Sequence, residues 1–204
     1  MSDPAPHILQ YWRRHTDGQG AWKRPDDGPP GEDLAALRRG IGRQPGDVPE
    51  MWRFYTRLSE DGEPTADLYA EHAALTLFAV HQQSKARPMH RGGVGVGRAV
   101  FELRRSTAFS PETVDRRFAA AATATSLPEV VTHLRGLVTQ LRGIDQVLDY
   151  TRLYLDLRGW QDPEQRSRVR RHWGSQYFIR VGRAAEEPGQ AGQAGTDPAV
   201  AVSA

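Results

Sequence analysis

The hydrophobic positions of this chain recur every three or four residues over most of its length, the spacing of one buried face on an α-helix. The clearest example opens with Ser126 and Glu129, the signature of a capping box, and continues with leucines and valines along one arc. No segment has a convincing strand pattern, so the sequence predicts an all-α fold. The predicted helices cover residues 8–16, 32–41, 66–83, 98–105, 111–124, 127–142, 144–158 and a last helix from 163 onward.

Two segments depart from the simple amphipathic pattern. Residues 66–83, preceded by the capping residue Thr65, are apolar nearly all round, which predicts a helix buried inside the domain. Residues 84–97 are basic and rich in glycine with no apolar period, which predicts a mobile loop. Asp47 and Glu50 have the spacing of another capping box, which predicts a further helix starting there.

Start and stop signals also predict how the chain is divided. A serine–proline pair at 110–111 is typical of a helix N-terminus and suggests a domain boundary just before it. We therefore expect two small helical-bundle domains, residues 1–108 with the basic loop 84–97 and residues 109–182, joined by that loop and a short linker. Residues 183–204 are mostly glycine, alanine, glutamine and proline, a composition that predicts a disordered tail.

Composition excludes several kinds of chemistry. The chain has no cysteine, which removes disulfides, thiolate catalysis and cysteine-based metal sites, and which fits a reducing cytoplasm. The N-terminal residues have no basic segment followed by an apolar run, so no signal peptide is predicted. No stretch approaches about 20 apolar residues, so no membrane contact is expected.

The distribution of charge is more informative than the formal net charge of +2. Only Lys23 and Lys85 are lysines among 27 basic residues, and the guanidinium group of arginine suits bidentate contact with phosphate. A GC-rich codon bias explains the arginine excess equally well, but it does not explain where the charges lie. Basic residues cluster at 38–43, 85–105, 135–142 and 166–171, and acidic residues at 45–71 and 145–164. This segregation predicts a basic face that binds phosphates with little sequence preference.

Motifs for catalysis or metal binding are weak. The glycines at 92–97 are not followed by the lysine and hydroxyl residue of a phosphate-binding loop, so a flexible loop is the better interpretation. The histidines have no metal-ligand spacing, and those at 72 and 81 are expected to be structural, while the aspartates lie among arginines and are expected to face water. No cofactor or metal is therefore predicted. The residues concerned are His72, His81, His90, Asp145, Asp149 and Asp156.

Several segments together resemble the CasB family in order and spacing, over residues 5–180. CasB is the small subunit of the type I-E Cascade complex, a CRISPR RNA-guided surveillance assembly. The segments are ALRRGIGRQPGDVPEMWRFY, VHQQSKARPMHRGGVGVGRAV, HLRGLVTQL, LDYTRLYLDLRGW and VRRHWGSQYF. The resemblance implies an all-helical, two-domain protein without catalytic activity. It also implies a pair of copies beside the backbone and large subunits, which hold the target strand and the displaced DNA strand when guide RNA pairs with its target.

The resemblance assigns candidate nucleic-acid contacts to the matching segments. These are Arg38, Arg39, Lys85, Arg87, Arg98 and Arg135. Arg91 and Arg142 are added from the charge pattern, since Arg135 and Arg142 lie seven residues apart at the edge of one helical face.

Three questions remain open at this point. Arg170 and Arg171 match the family in type, but contacts to protein are an equal alternative for them. A stand-alone helical DNA-binding regulator is the second hypothesis for the function. An enzyme that uses the histidines at 72 and 81 with the aspartates at 145 and 149 is the third.

Overall fold

The structure is a computed structural model that describes residues 10–24 and 28–186, the last six by their backbone alone. Within these residues the secondary structure is helical, apart from two isolated β-bridges, so the predicted all-α fold is confirmed. A 3₁₀-helix covers Pro49–Phe54. The α-helices are α1 (Tyr11–His15), α2 (Gly31–Arg39), α3 (Ala66–Gln82), α4 (Val96–Arg105), α5 (Pro111–Thr123), α6 (Leu127–Gly143), α7 (Tyr150–Trp160) and α8 (Pro163–Glu186).

Helix α3 lies at the centre of the fold. The Oγ1 atom of Thr65 accepts a hydrogen bond from the backbone N–H of Leu68 at 3.2 Å, which caps the helix as predicted. Every residue from 70 to 82 is buried, because α2, α6 and α7 pack against different sides of the helix. Phe78 and Tyr150 meet edge to face at a ring-centre distance of 5.2 Å, which joins α3 to the start of α7.

Helices α4 and α8 cross at unusually close range. A Cβ atom on Gly97 would lie 2.1 Å from the backbone oxygen of Trp173, and one on Gly95 would lie 2.6 Å from Oε1 of Gln176. Trp173 in turn stacks on Trp160 of α7 at a ring-centre distance of 4.9 Å. The two glycines thus permit close helix packing, a function that the loop pattern did not reveal.

The segment before α4 is a fixed part of the fold, whereas the sequence predicted a mobile loop there. Met89, His90 and Val94 are buried. The backbone N–H of Leu148 donates to the carbonyl of Met89 at 2.9 Å, and that of Asp149 donates to the carbonyl of Val94 at 2.8 Å. These bonds fix the segment to the turn between α6 and α7.

Two predicted helix starts are wrong. Asp47 does not cap a helix, because its Oδ2 atom accepts from the backbone N–H of Gln44 at 3.1 Å and the short 3₁₀-helix begins at Pro49 without a side-chain cap. Helix α7 begins at Tyr150, six residues later than predicted. Asp145 has a positive φ of 58°, a left-handed conformation that an α-helix excludes.

The C-terminal helix is longer than predicted. Its backbone continues to Glu186, past residue 182, where the disordered tail was expected to begin. Residues 187–204, the rest of that predicted tail, lie outside the described residues. The buried hydrophobic residues form a single cluster on both sides of residue 109, in which α3 packs against α6 and α7 and α4 packs against α5 and α8. The division into two helical-bundle domains stays a prediction.

The contact between α4 and α8 predicts opposite effects for two glycine-to-alanine changes. Gly97→Ala places a methyl group against a backbone carbonyl and is expected to lower the free energy of unfolding by about 3 kcal/mol. Gly136→Ala, in the middle of α6 with open space around its Cβ, is expected to raise it by about 0.5–1 kcal/mol. Urea denaturation measures both values, and equal effects of the two substitutions would contradict the close crossing.

The buried histidine of α3 predicts loss of stability in acid. His81 is fully buried, its Nδ1 atom lies 3.0 Å from the hydroxyl of Tyr150, and burial lowers its pKa to about 3. Because the unfolded chain binds a proton near pH 6.5 and the folded chain does not, the free energy of unfolding falls as pH drops below that value. The loss is about 1.4 kcal/mol per pH unit for this group.

Denaturation at a series of pH values tests this expectation. Between pH 6.5 and 5, the free energy of unfolding is expected to fall less steeply with decreasing pH in His81→Gln than in the wild type. The difference in slope is about 1.4 kcal/mol per pH unit, the contribution of one bound proton. His133→Gln, a change at a partly exposed position of α6, controls for the loss of a histidine. An unchanged slope in the His81 variant would show that this imidazole does not resist protonation.

Candidate nucleic-acid interface

The eight basic candidates divide into two groups according to what their side chains touch. Four are engaged in ion pairs or hydrogen bonds within the protein: Arg39, Lys85, Arg87 and Arg142. The other four have no ion pair or side-chain hydrogen bond to any residue that the structure describes: Arg38, Arg91, Arg98 and Arg135. The second group is therefore better placed to contact an anionic partner.

Lys85 and Arg87 converge on one carboxylate. Nζ of Lys85 lies 2.5 Å from Oδ1 of Asp145, and Arg87 donates to the backbone carbonyl of the same residue, with its Nη2 3.9 Å from Oδ2. The hydrogen bond from Lys85 and the two nearby positive charges hold the pKa of Asp145 below its ordinary value. This cluster ties the segment after α3 to the turn between α6 and α7, and it neutralises part of the predicted basic surface.

Arg142 caps the C-terminal end of α3. Its Nη1 atom donates to the carbonyl of Val80 at 3.1 Å and to Oε1 of Gln83 at 3.2 Å. The last carbonyls of a helix lack partners within that helix and carry partial negative charge, so a guanidinium group is a favourable cap. The charge pattern assigned Arg142 the same role as Arg135, whereas its guanidinium group is bonded within the protein, and a nucleic-acid contact by Arg142 stays a prediction.

Other arginines also hold the fold. Arg39 pairs with Glu50 at 2.9 Å, and since both side chains are more than half exposed the pair contributes less than about 1 kcal/mol. Arg170 donates to the carbonyl of Ala124 at 2.5 Å, and its guanidinium lies over the ring of Trp160. Of the two alternatives left open for Arg170, the protein contact is therefore the one that the structure contains.

The predicted separation of basic and acidic surfaces is wrong at Asp145 and Glu50. The carboxylate of Asp145 belongs to the acidic segment 145–164, yet it pairs with the basic segment that follows α3. Glu50 of the acidic segment 45–71 pairs in the same way with an arginine of α2. Folding brings oppositely charged segments together because each gains an attractive neighbour, which a count of charges along the chain does not reveal.

The four unpaired arginines lie on four different elements. Arg38 is half-buried near the end of α2, and Arg91 is exposed in the segment between α3 and α4. Arg98 is exposed in the first turn of α4, and Arg135 is exposed in the middle of α6. They are thus distributed over both parts of the chain.

A groove of about 360 Å³ is lined by Arg135 and by Arg43, an arginine from the first half of the chain. We call it the α3–α6 groove. Residues 40–45, which follow α2, form one wall, and Val131 and Arg135 belong to the wall formed by α6. Ala73 and Leu77 of α3 line it between them. The sequence did not single out this groove, because its walls are about 90 residues apart in the chain and meet only in the folded protein.

Arg43 is the site residue that the sequence interpretation missed. It lies in the wall opposite Arg135, is exposed, and makes no ion pair with a described residue. The sequence does place it in the basic cluster 38–43, but nothing in the pattern distinguishes it from its neighbours. Arg43 and Arg135 thus line the same groove from different elements.

A buried histidine holds the first wall of the groove in place. His72 Nε2 lies 2.9 Å from the carbonyl of Gly40, and its Nδ1 lies 2.7 Å from the hydroxyl of Tyr55. Burial lowers the pKa of His72, so the imidazole adds no charge to the groove at neutral pH. A Cβ atom on Gly40 would lie 2.2 Å from Sδ of Met51, which makes the start of this wall a tightly packed corner.

Two buried carboxylates have structural partners. Asp156 was expected to face water, but it is buried and accepts from Nε1 of Trp173 at 2.7 Å and from Nε of Arg152 at 2.9 Å. Burial raises the pKa of Asp156, and it also raises that of Glu71, which accepts from the backbone N–H and hydroxyl of Thr56. Neither carboxylate lines the groove.

Over residues 10–24 and 28–186, no three histidine or carboxylate side chains come together as a metal site would require. In the same part of the chain, no helix has both the length and the apolar character needed to cross a membrane.

Comparison with known proteins identifies the family. The family model described as CRISPR-associated protein Cse2 matches residues 33–178. The chain belongs to the Cse2 family. This confirms the resemblance noted in the sequence, since solved structures similar to this Cse2-family chain carry the name CasB. None of the curated proteins matches the chain.

Three solved structures resemble the Cse2-family chain in fold. CasB from Thermobifida fusca is 32% identical with a TM-score of 0.57, and the match covers 72% of this chain and 84% of that one. CasB from M. ruber is 20% identical with a TM-score of 0.61 and coverage of 86% and 94%. A chain from a CRISPR RNA-guided surveillance complex is 24% identical with a TM-score of 0.57 and coverage of 76% and 86%. At these identities the last two support the fold alone.

The two arginines of α6 predict separable effects in this Cse2-family protein. Arg142→Ala removes a cap from α3 and is expected to lower the free energy of unfolding by about 1–3 kcal/mol, since two acceptors lose a charged donor. Arg135→Ala, seven residues earlier on the same helix, is expected to change it by less than about 0.5 kcal/mol. Chemical denaturation of both variants checks this, and equal destabilisation would contradict the assignment of structural and free arginines.

Proposed function

We propose that this chain is a non-catalytic subunit of a CRISPR RNA-guided surveillance complex of the Cascade type. In this proposal it stabilises the target strand and the displaced strand of DNA, the two strands of an R-loop, through arginine–phosphate contacts. Membership in the Cse2 family, which is described as CRISPR-associated, supports the assembly, and the fold is compatible with it because a chain of a surveillance complex has a similar one. Sequence recognition then comes from pairing between guide RNA and DNA, so a protein that reads charge and shape is sufficient.

One observation carries the DNA-binding part of the proposal. Four arginines on different elements have no carboxylate partner among the described residues. They are Arg38 on α2, Arg91 in the segment before α4, Arg98 on α4 and Arg135 on α6. A guanidinium group without a partner gives up no ion pair when it binds phosphate. By contrast, Lys85 must first separate from Asp145.

The same geometry supports a role without catalysis. The buried carboxylates are engaged by backbone and side-chain donors, as Asp156 is by Trp173 and Arg152. His81 of the enzyme hypothesis is buried against Tyr150, and Asp149 caps α7 through the backbone N–H of Arg152 at 2.9 Å. These contacts favour structural functions for the groups that an enzyme would need to expose to substrate.

The proposal implies a defined set of partners. We infer contacts with the backbone and large subunits of the complex, with a second copy of this chain, and with both DNA strands. Co-purification of the full chain with a guide RNA and large partner proteins from its own cells tests the assembly. A strong preference for one duplex sequence, measured with the isolated chain, would favour the stand-alone regulator instead.

Removing two of the unpaired arginines is expected to weaken binding to single-stranded DNA. Arg98→Ala combined with Arg135→Ala is expected to raise the Kd at low salt about tenfold or more, because two phosphates are no longer neutralised. The slope of log K against log salt is expected to become shallower by about 0.7 for each phosphate that the variant leaves without an arginine. Fluorescence anisotropy over a salt titration measures both quantities.

A matched control separates local contacts from total charge. Arg116→Ala with Arg117→Ala removes two exposed arginines of α5 that lie outside the four basic clusters, and it is expected to change the Kd much less. Wild-type affinity and an unchanged salt slope in the Arg98 and Arg135 variant would count against the proposed interface. Equal weakening in both double variants would indicate a general charge effect.

A further inference from the structure

The α3–α6 groove has the properties of a ligand site in addition to those of a basic surface. Its volume of about 360 Å³ falls within the range of small-molecule sites, and its lining is mainly apolar. Ala73 and Leu77 of α3 and Val131 of α6 provide aliphatic surface, and Tyr69 contributes an aromatic ring. A flat apolar ligand would gain more from this lining than a hydrated one.

Charge restricts the kind of ligand further. Arg43 and Arg135 lie in opposite walls, both are exposed, and neither pairs with a carboxylate among residues 10–24 and 28–186. The buried imidazole of His72 in the same lining is neutral near pH 7, because burial lowers its pKa. Among the residues that the structure describes, no aspartate or glutamate lines the groove. The combination suits a ligand with an apolar planar part and an anionic part.

We propose that the α3–α6 groove holds one unpaired nucleobase of bound DNA, with the adjoining phosphates at Arg43 and Arg135. This inference rests on the proposed function and adds a place where a single nucleotide is held. Stacking on Tyr69 and contact with aliphatic side chains work for any base, so the site requires no sequence preference. The two arginines lie on opposite walls, where the backbone of a strand can pass from one side to the other.

The groove also has a firm scaffold, which a preformed base site requires. The wall at residues 40–45 is anchored through the bond between His72 Nε2 and the carbonyl of Gly40 at 2.9 Å. Gln161 also lines the groove and is held in place by its Nε2 atom, which donates to the carbonyl of Ala66 at 2.8 Å. A base that enters meets surfaces that are already ordered, which limits the entropy cost of binding.

A bulky residue in the groove tests the inference. Thr132 lines the groove at an exposed position of α6, and its hydroxyl donates to the carbonyl of Pro128 at 2.8 Å. Thr139 is exposed on the same helix outside the groove, and its hydroxyl donates to the carbonyl of Arg135 at 2.8 Å. Thr132→Trp and Thr139→Trp are therefore a matched pair, and circular dichroism checks that both variants melt as the wild type does.

The DNA probes are a thymidine oligonucleotide and the same oligonucleotide with abasic sites. Thr132→Trp is expected to raise the Kd for the thymidine oligonucleotide about tenfold, since one base loses its stacking site. It is expected to leave the Kd for the abasic oligonucleotide unchanged. Thr139→Trp is expected to change neither value. This pattern would support a base in the groove, because the substitution and the removal of the base then act on the same contact.

The other outcomes overturn the inference in distinguishable ways. Equal weakening on both oligonucleotides, or no weakening on either, would show that the groove does not hold a base. Normal DNA binding together with failure to assemble with the protein subunits of the complex would assign the groove to a protein segment. If wild-type protein binds neither oligonucleotide at low salt, the proposed DNA-binding function itself fails, and this inference fails with it.

Discussion

The burial of α3 is the constraint on which the rest of the fold depends. A helix that is apolar on every side has no face to leave in water, so it must be covered by several elements at once. Helices α2, α6 and α7 provide that cover, and they come from both halves of the chain. Residues 40–45, which follow α2, and helix α6 do not meet over the whole of α3, and a groove lined by all three lies between them. The candidate base site thus arises from the same constraint that forms the core.

Arginine has two distinct uses in this protein. Some guanidinium groups bond to carbonyls near helix C-termini, as Arg142 does with Val80 and Arg170 does with Ala124. These carbonyls have no helical partner and attract positive charge. Other guanidinium groups, such as those of Arg98 and Arg135, remain exposed. An arginine-rich sequence therefore overstates the surface available to a nucleic acid, since part of its charge is used to hold helix ends.

The sequence predicted helices α3 to α6 to within two residues, because apolar spacing marks each of them and side-chain caps mark the starts of α3, α5 and α6. Thr65 and Ser126 bond to the helices that they precede, as their positions suggested. The start of α7 was missed, because Ile144 and Leu148 have helical spacing but lie in a turn that the left-handed Asp145 creates. Apolar residues in an ordered turn contribute to the core as helical ones do, so periodicity alone does not separate the two cases.

The candidate site was predictable only in part. Arg135 and Arg142 occupy equivalent places on one helix, and their different surroundings come from α3, which is distant in the sequence. The glycines at 95 and 97 suggested flexibility, although they permit the close approach of α8. Each of these differences depends on a contact between distant segments. Local patterns contain no information about such contacts.

The central position of α3 has a consequence for synthesis of the protein on the ribosome. Its last residue is made about 45 residues before the first residue of α6 and still earlier than α7. At a synthesis rate of about 5–20 residues per second, roughly 2–9 s pass between completion of α3 and the start of α6. During that interval its apolar surface is available to chaperones and to other nascent chains. The order of elements along the chain therefore delays the burial of this helix until the second half of the protein is made.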